Sequence, residues 1–290
     1  MGSDNKTSLR EISTTITGKT RGAAMAAENV RVGYGEKIIL SELSLEIRRG
    51  EITALVGPNG SGKSTLLKGM ARLLKLHSGT VFLEGEELTK MANSEIARRL
   101  AVLPQAPTAP AGLTVGELVE QGRYPHAGPM RMLRKQDHEA IGRALELTGT
   151  LEFANRPLEN LSGGERQRAW IALTLAQATP VLFLDEPTTF LDIGHQLEVL
   201  ELVGQLNREQ GMTIVMVLHD LNQAAQYAHR MVVLRKGSIV ADGAPAEVMT
   251  GEVLEKVFNI KAHIVTDPAS GRPVFLPYAV VKNEEVGRGQ

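Results

Sequence analysis

Gly57-Pro58-Asn59-Gly60-Ser61-Gly62-Lys63-Ser64-Thr65 follows directly on the apolar run Ile52–Val56 and precedes Leu66, Leu67, Met70, Leu73 and Leu74 at helical spacing. The stretch matches G-x-x-x-x-G-K-[ST] in full, and its order is strand, glycine-rich turn, helix. Glycines let backbone N–H groups converge on an anion without Cβ clashes, and the helix that starts near Lys63 adds its positive end. Lys63 supplies a point charge for β/γ-phosphates, and the Ser64 hydroxyl is placed to coordinate Mg²⁺. This predicts a nucleotide cradle on a parallel α/β sheet.

The flanking sequence agrees with that fold class. Short strands are expected at 27–32, 43–47, 80–83 and 101–103, and bare apolar runs at 181–184 and 213–218 read as strands buried on both faces of a parallel sheet. Helices are expected at 94–99, 114–121, 135–148, 163–178, 196–209 and 221–228. Thr114 and Glu117 have capping-box spacing. A loop is expected over 122–129 and a hairpin across Lys236-Gly237. Alternating strands and helices imply crossover connections, while 108–178 reads as a helical insert without strong strands. Residues 1–25, rich in Ser, Thr and Gly, read as a flexible arm, and 263–290 as a C-terminal tail. Neither a secretory leader nor a run of about 18 apolar residues is present.

The composition of the 290 residues narrows the function. Lys plus Arg total 32 against 33 for Asp plus Glu, a formal net charge of −1, which gives no electrostatic reason to expect nucleic acid as partner. The absence of cysteine excludes disulfide scaffolds and thiolate metal sites. A second candidate site is Val181-Leu182-Phe183-Leu184-Asp185-Glu186, a strand ending in two carboxylates at the sheet edge where α/β folds bind ligands. Asp185 is placed to hold Mg²⁺, and Glu186, pointing to the other side of the strand end, to polarise an attacking water.

Leu161-Ser162-Gly163-Gly164-Glu165-Arg166-Gln167-Arg168 resembles the signature motif of ATP-binding cassette proteins, and the other cassette motifs follow in order. Leu103-Pro104-Gln105 resembles the glutamine loop, Leu184-Asp185-Glu186-Pro187-Thr188 the acidic strand, Phe190-Leu191-Asp192 the D-loop, and Val217-Leu218-His219-Asp220 the switch histidine. Tyr34 stands where the family places an aromatic against adenine. The resemblance implies a P-loop NTPase with a RecA-like parallel-sheet core, an antiparallel β subdomain and a helical signature subdomain, spanning 26–262. It implies ATP hydrolysis to ADP and phosphate, with Glu186 as general base or water-orienting carboxylate and His219 on the γ-phosphate. Gln105 would touch Mg²⁺ and sense the helical insert, Asp192 would relay between two sites, and Tyr34 would stack on adenine. Without the resemblance a loop Gln reads as solvated, a strand-end His as structural and a lone Tyr as core. His126 and His195 have no second ligand at metal spacing.

Ser162-Gly163-Gly164, like the first glycine loop, is placed at a helix N-terminus. Two chains facing head to tail would close each ATP between one chain's 57–65 loop and the other's Leu161–Glu165 segment, an isologous homodimer. Gly122-Arg123-Tyr124-Pro125-His126, the 188–196 string, Leu218–Ala224, Asp267-Pro268 and Gly271 together resemble the ATPase subunits of bacterial ferric-siderophore importers. That implies docking on a membrane permease at the cytoplasmic face, with 105–128 as the docking surface, and an extracytoplasmic siderophore-binding protein upstream. Haem and cobalamin importers have related ATPases, but Thr189-Phe190-Leu191-Asp192-Ile193 resembles the siderophore group better. A soluble, non-transport cassette ATPase would predict tandem cassettes or a basic face, and neither is present.

Overall fold

The computed structural model describes residues 22–127 and 132–281. In chain order its elements are β1 (Ala23–Tyr34), β2 (Lys37–Arg48), β3 (Ile52–Val56), α1 (Lys63–Met70), β4 (Leu76–Leu83), β5 (Glu86–Glu87), α2 (Asn93–Ile96) and β6 (Leu100–Leu103). Then come α3 (Val115–Glu120), α4 (Lys135–Leu147), α5 (Gly163–Ala176), β7 (Val181–Asp185), α6 (Ile193–Gln210), β8 (Thr213–Val217) and α7 (Leu221–Tyr227). The chain closes with β9 (Arg230–Arg235), β10 (Ser238–Gly243), α8 (Pro245–Val248), α9 (Gly251–Phe258), β11 (Ile260–Thr266) and β12 (Pro273–Val280).

The central sheet has the order β10-β9-β3-β8-β7-β6, parallel except for β10. Its strands are apolar throughout because both faces are covered. Alternation divides them cleanly. Ile52, Ala54, Leu182, Leu184, Ile214 and Met216 point into the core shared with the helices of the insert and α6. Leu55, Val181, Phe183, Val215 and Val217 point into a second core, shared with α1 and the antiparallel sheet β2-β1-β4-β5. The β9–β10 turn uses Lys236 and Gly237 at φ 49° and 83°, the pair of positive values a two-residue hairpin prefers.

Four expectations need correction. The arm expected over 1–25 lies outside the described residues as far as position 21, but Ala23 already begins β1, where Met25 is buried and pairs with Leu83 and Ile47. The apolar pattern that ran to Leu74 yields a helix ending at Met70. Arg72 adopts φ 58°, both Leu73 and Leu74 N–H groups turn back to Lys68 O, and Leu73 is left exposed. The segment expected as a tail from 263 forms most of the β11–β12 hairpin; only 282–290 lie outside the described residues. Its anchors are distant in sequence: Asn222 Nδ2 donates to Phe275 O and Phe275 N–H to Asn222 Oδ1, while Arg272 donates to Ala225 O and Ala228 O. The loop expected over 122–129 begins as a turn of 3-10 helix, and its positions 128 and 129 lie outside the described residues.

The insert holds together around one buried ion pair. Arg123 Nε donates to Asp137 Oδ1 at 2.8 Å and Arg123 Nη1 to Ala176 O at 2.8 Å, so one guanidinium ties the 121–123 turn to α4 and α5. The Arg134 backbone N–H donates to the other Asp137 oxygen and is the first cause holding that carboxyl below its usual range. Removing one partner leaves a charge without compensation in a nearly inaccessible place. Asp137→Ala is expected to destabilise the chain by about 3 kcal/mol, read as a lower urea midpoint at unchanged slope.

Candidate functional site

The site is built where β3, β7 and β8 end side by side. Register places Leu55 opposite Val217 and Asp185 opposite Val217, so the 57–65 loop, the acidic pair and His219 all leave one edge of the sheet. The loop turns through Gly57, Gly60 and Gly62 at φ 148°, 75° and 105°. At Gly57 a Cβ would lie 2.1 Å from the Leu234 carbonyl oxygen, and at Gly62 it would lie 2.5 Å from Leu40 Cδ2. The glycines here therefore serve close packing as well as backbone freedom. The first helical hydrogen bond of α1 runs from Leu66 N–H to Gly62 O, which leaves the amides of 63–65 available to an anion.

Lys63 is buried and its ammonium donates to Gly57 O at 2.8 Å and Pro58 O at 3.1 Å. Burial pulls its pKa below the usual lysine value, opposed by the charges of Glu186 and Asp185. Asp185 is 1% exposed. Its Oδ1 accepts from Ser64 Oγ at 2.7 Å, while Oδ2 is buried without a hydrogen-bond partner and has only Lys68 Nζ at 3.9 Å. Burial pushes this carboxyl up, with the Ser64 hydrogen bond the largest opposing influence. A buried oxygen lacking a donor, next to a hydroxyl, is the hard-oxygen environment a divalent cation such as Mg²⁺ takes, so these residues fit one.

Glu186, at φ 56°, turns its carboxylate over the loop rather than away from it. Oε1 meets His219 Nε2 at 2.7 Å; Oε2 accepts from Gln105 Nε2 at 2.6 Å and from Thr189 Oγ1 at 3.1 Å. Asn59, Gly60, Gly62, Lys63, Ser64, Thr65, Gln105, Glu186 and His219 line one cavity of about 330 Å³. The floor is cationic and rich in N–H groups, and the wall carries a carboxylate and an imidazole. Such a cavity can hold a polyphosphate and orient water against it.

Of the candidates read from sequence, Asn59, Gly60, Gly62, Lys63, Ser64, Thr65, Gln105, Glu186 and His219 line this cavity, and Gly57, Pro58, Ser61 and Asp185 stand beside it on the same loop and strand end. Gln105 lies against Glu186. The remaining candidates lie outside the cavity lining. Tyr34 is half exposed at the end of β1. Ser162 caps α5 in a reciprocal box with Glu165, whose carboxyl is held below its usual range first by the Ser162 backbone N–H. Leu161 is buried behind that cap, and Gly163 is exposed at the helix start. Asp192 caps α6 through His195: Oδ1 accepts from the His195 N–H and Oδ2 meets Nδ1, both within 2.9 Å. The His195 ring packs so tightly on Gly164 that a Cβ there would lie 2.1 Å from it. His195, read from sequence as having no metal role, thus joins the Ser162–Gly164 turn to Asp192 at the start of α6. His126 meets Gln177 O, a structural contact.

Three participants escaped the sequence reading. Lys68 had a signal, because it stands four residues after Ser64 on one helix face. Thr189 and His195 had none beyond their place in the 188–196 string. Among the described residues there is no cluster of three or more His, Cys, Asp or Glu fit for a metal, and no helix long and apolar enough to cross a membrane.

The chain is similar along most of its length to known proteins. A family model described as ABC transporter matches residues 40–189. The iron(3+)-hydroxamate import ATP-binding protein FhuC of Bacillus subtilis (strain 168) is 51% identical over 262 residues, covering 90% of this chain and 97% of FhuC. A metal-chelate type ABC transporter solved in an inward-facing conformation superposes with TM-score 0.76 at 27% identity, covering 89% of this chain and 98% of that one. The dimeric structure of MJ0796, a bacterial ABC transporter cassette, superposes with TM-score 0.67 at 30% identity, covering 76% and 98% of the two chains.

The loop geometry separates two glycines that look alike in sequence. Gly60 has open space around its Cβ position, whereas Gly57 has none. Gly60→Ala is expected to cost about 1 kcal/mol, from its positive φ alone, and Gly57→Ala about 3 kcal/mol with the loop displaced. Thermal unfolding of the two variants checks the difference, and equal melting temperatures would contradict it.

Proposed function

This chain belongs to the ABC transporter family, and from that premise we propose that it is the ATP-binding, ATP-hydrolysing subunit that energises import of a ferric siderophore through a membrane permease. The observation that supports the reading best is the Glu186–His219–Gln105 cluster standing over the Lys63 and Ser64 loop in one cavity. Lys63 and the amides of the glycine loop bind the β- and γ-phosphates. Ser64 and Asp185 would hold Mg²⁺, and Gln105 would be a further candidate ligand. The ion, when bound, neutralises charge developing on the phosphoryl oxygens. His219 donates to the γ-phosphate, and Glu186 orients the attacking water and takes its proton. Tyr34, exposed at the end of β1, stacks on adenine.

The chain acts as a homodimer. Support comes from the exposed Ser162 and Gly163 at the α5 N-terminus, which lie outside their own chain's cavity, and from the dimeric form of the MJ0796 cassette. Leu161, Ser162, Gly163, Gly164 and Glu165 of one copy cover the γ-phosphate held by the other, and Asp192 lies between the two sites. Residues 26–262 form the ATPase unit and 108–178 its signature-bearing helical subdomain. This subdomain docks on the permease at the cytoplasmic face of the membrane, and a siderophore-binding protein delivers cargo from the far side. The siderophore class is supported by the similarity to FhuC, named for iron(3+)-hydroxamate import.

Glu186→Gln keeps the shape of the side chain and removes its basicity. The variant is expected to bind ATP, to lose cleavage and to accumulate an ATP-dependent dimer on gel filtration; a monomeric variant hydrolysing at the native rate would sink the assignment. Deleting the gene is expected to abolish growth on a ferric siderophore as sole iron source while sparing growth on haem. Loss on haem with growth on every siderophore tested would redirect the cargo.

A further inference from the structure

Three donors converge on the Glu186 carboxylate, and they are not equivalent. His219 Nε2 holds Oε1 at 2.7 Å; Gln105 Nε2 and Thr189 Oγ1 hold Oε2 at 2.6 and 3.1 Å. In the function proposed above, His219 turns to the γ-phosphate and Gln105 to the metal, so both give up the carboxylate when the site is loaded. Thr189 has no such second task. It belongs to the same tight turn as Glu186: the Thr189 N–H donates to Glu186 O at 3.3 Å, and Pro187 and Thr188 between them are buried. The left-handed φ of Glu186 is what folds the chain back so that the hydroxyl reaches its own turn's carboxylate.

We propose that Thr189 is the positioning residue that fixes the rotation of the Glu186 carboxylate in the loaded site, gripping Oε2 so that Oε1 stays aimed at the attacking water. A carboxylate left free to rotate presents either oxygen at varying angle, and proton transfer is sensitive to that geometry. A charge-assisted hydrogen bond from a neighbouring hydroxyl supplies the restraint at little entropic cost, because donor and acceptor are already three residues apart in one turn. Thr189 acts through Glu186 and makes no contact with the nucleotide. The inference rests on the reading of Glu186 as the water-orienting group, and its test is built to separate the two.

The full chain is compared as the native protein, Thr189→Val, Thr189→Ala, Thr189→Ser and Glu186→Gln, measuring kcat, KM for ATP, and ATP affinity by calorimetry. Thr189→Val keeps volume and branching and removes the donor; Thr189→Ala serves the same purpose if the valine variant misfolds. Both are expected to lower kcat about tenfold with KM and ATP affinity unchanged. Thr189→Ser, which keeps the hydroxyl, is expected to restore most of the rate. If Glu186→Gln is inactive while Thr189→Val and Thr189→Ala turn over at the native rate, the inference on Thr189 falls and the role of Glu186 stands. The inference falls likewise if Thr189→Ser is as slow as Thr189→Val, or if ATP affinity drops in step with kcat. If Glu186→Gln itself hydrolyses ATP normally, the underlying reading fails and takes the inference with it.

Discussion

Parallel strand register is the constraint on which the site depends. β3, β8 and β7 are neighbours, pairing Leu55 with Val217 and Val217 with Asp185. The glycine loop, His219 and the acidic pair are far apart in sequence, yet each begins within two residues of its strand's end. A slip of one residue in β7 would turn Asp185 to the other face and exchange Phe183 and Leu184 between two close-packed cores shaped for side chains of different volume. The core thus protects the register, and the register places the chemistry. Phe183 and Leu184, packed into opposite cores, hold that register from both sides of the sheet.

The buried charges of the cavity are only partly compensated by the protein. Burial works against the charge of both Lys63 and Asp185, lowering the first pKa and raising the second. Each group is partly compensated: Lys63 by two backbone carbonyls and the nearby carboxylates, Asp185 by Ser64 and Lys68. One Asp185 oxygen still lacks a donor. Such an arrangement holds its groups ready for a ligand carrying both signs of charge, a polyanion with its cation, which answers both deficits together.

The parts legible in the sequence were those whose physics is local. The glycine loop, the Thr114–Glu117 capping box and the Lys236-Gly237 turn are each specified within a few residues, and each appears as expected. The apolar runs of β7 and β8 are nearly as local, because full burial demands an unbroken pattern. The misses were matters of tertiary contact. β11 and β12 look like a tail because their anchor, Asn222, is 53 residues from Phe275. The helix pattern through Leu74 is sound as periodicity, but Arg72 Nη1 is drawn away to Leu88 O and Met91 O. Thr189 is one hydroxyl in a run of ordinary residues, and only the backward turn at Glu186 gives it a partner.

The Ser162–Gly164 turn and the Asp192–His195 turn are one packed object. Gly164 admits no side chain because the His195 ring occupies the place of its Cβ, and His195 is in turn held by Asp192. Neighbouring Phe190 and Ile193 stand exposed, 95% and 75%, on the same corner of the chain. An apolar, glycine-bearing corner of this kind is costly to leave in water and has no cavity of its own to complete. The 57–65 cavity has the opposite deficiency, with donors on its floor and carboxylate and imidazole on its wall but no second helix N-terminus facing them. Because Asp192 links the corner to α6 and Thr189 links it to Glu186, whatever seats that corner also bears on the carboxylate over the 57–65 cavity.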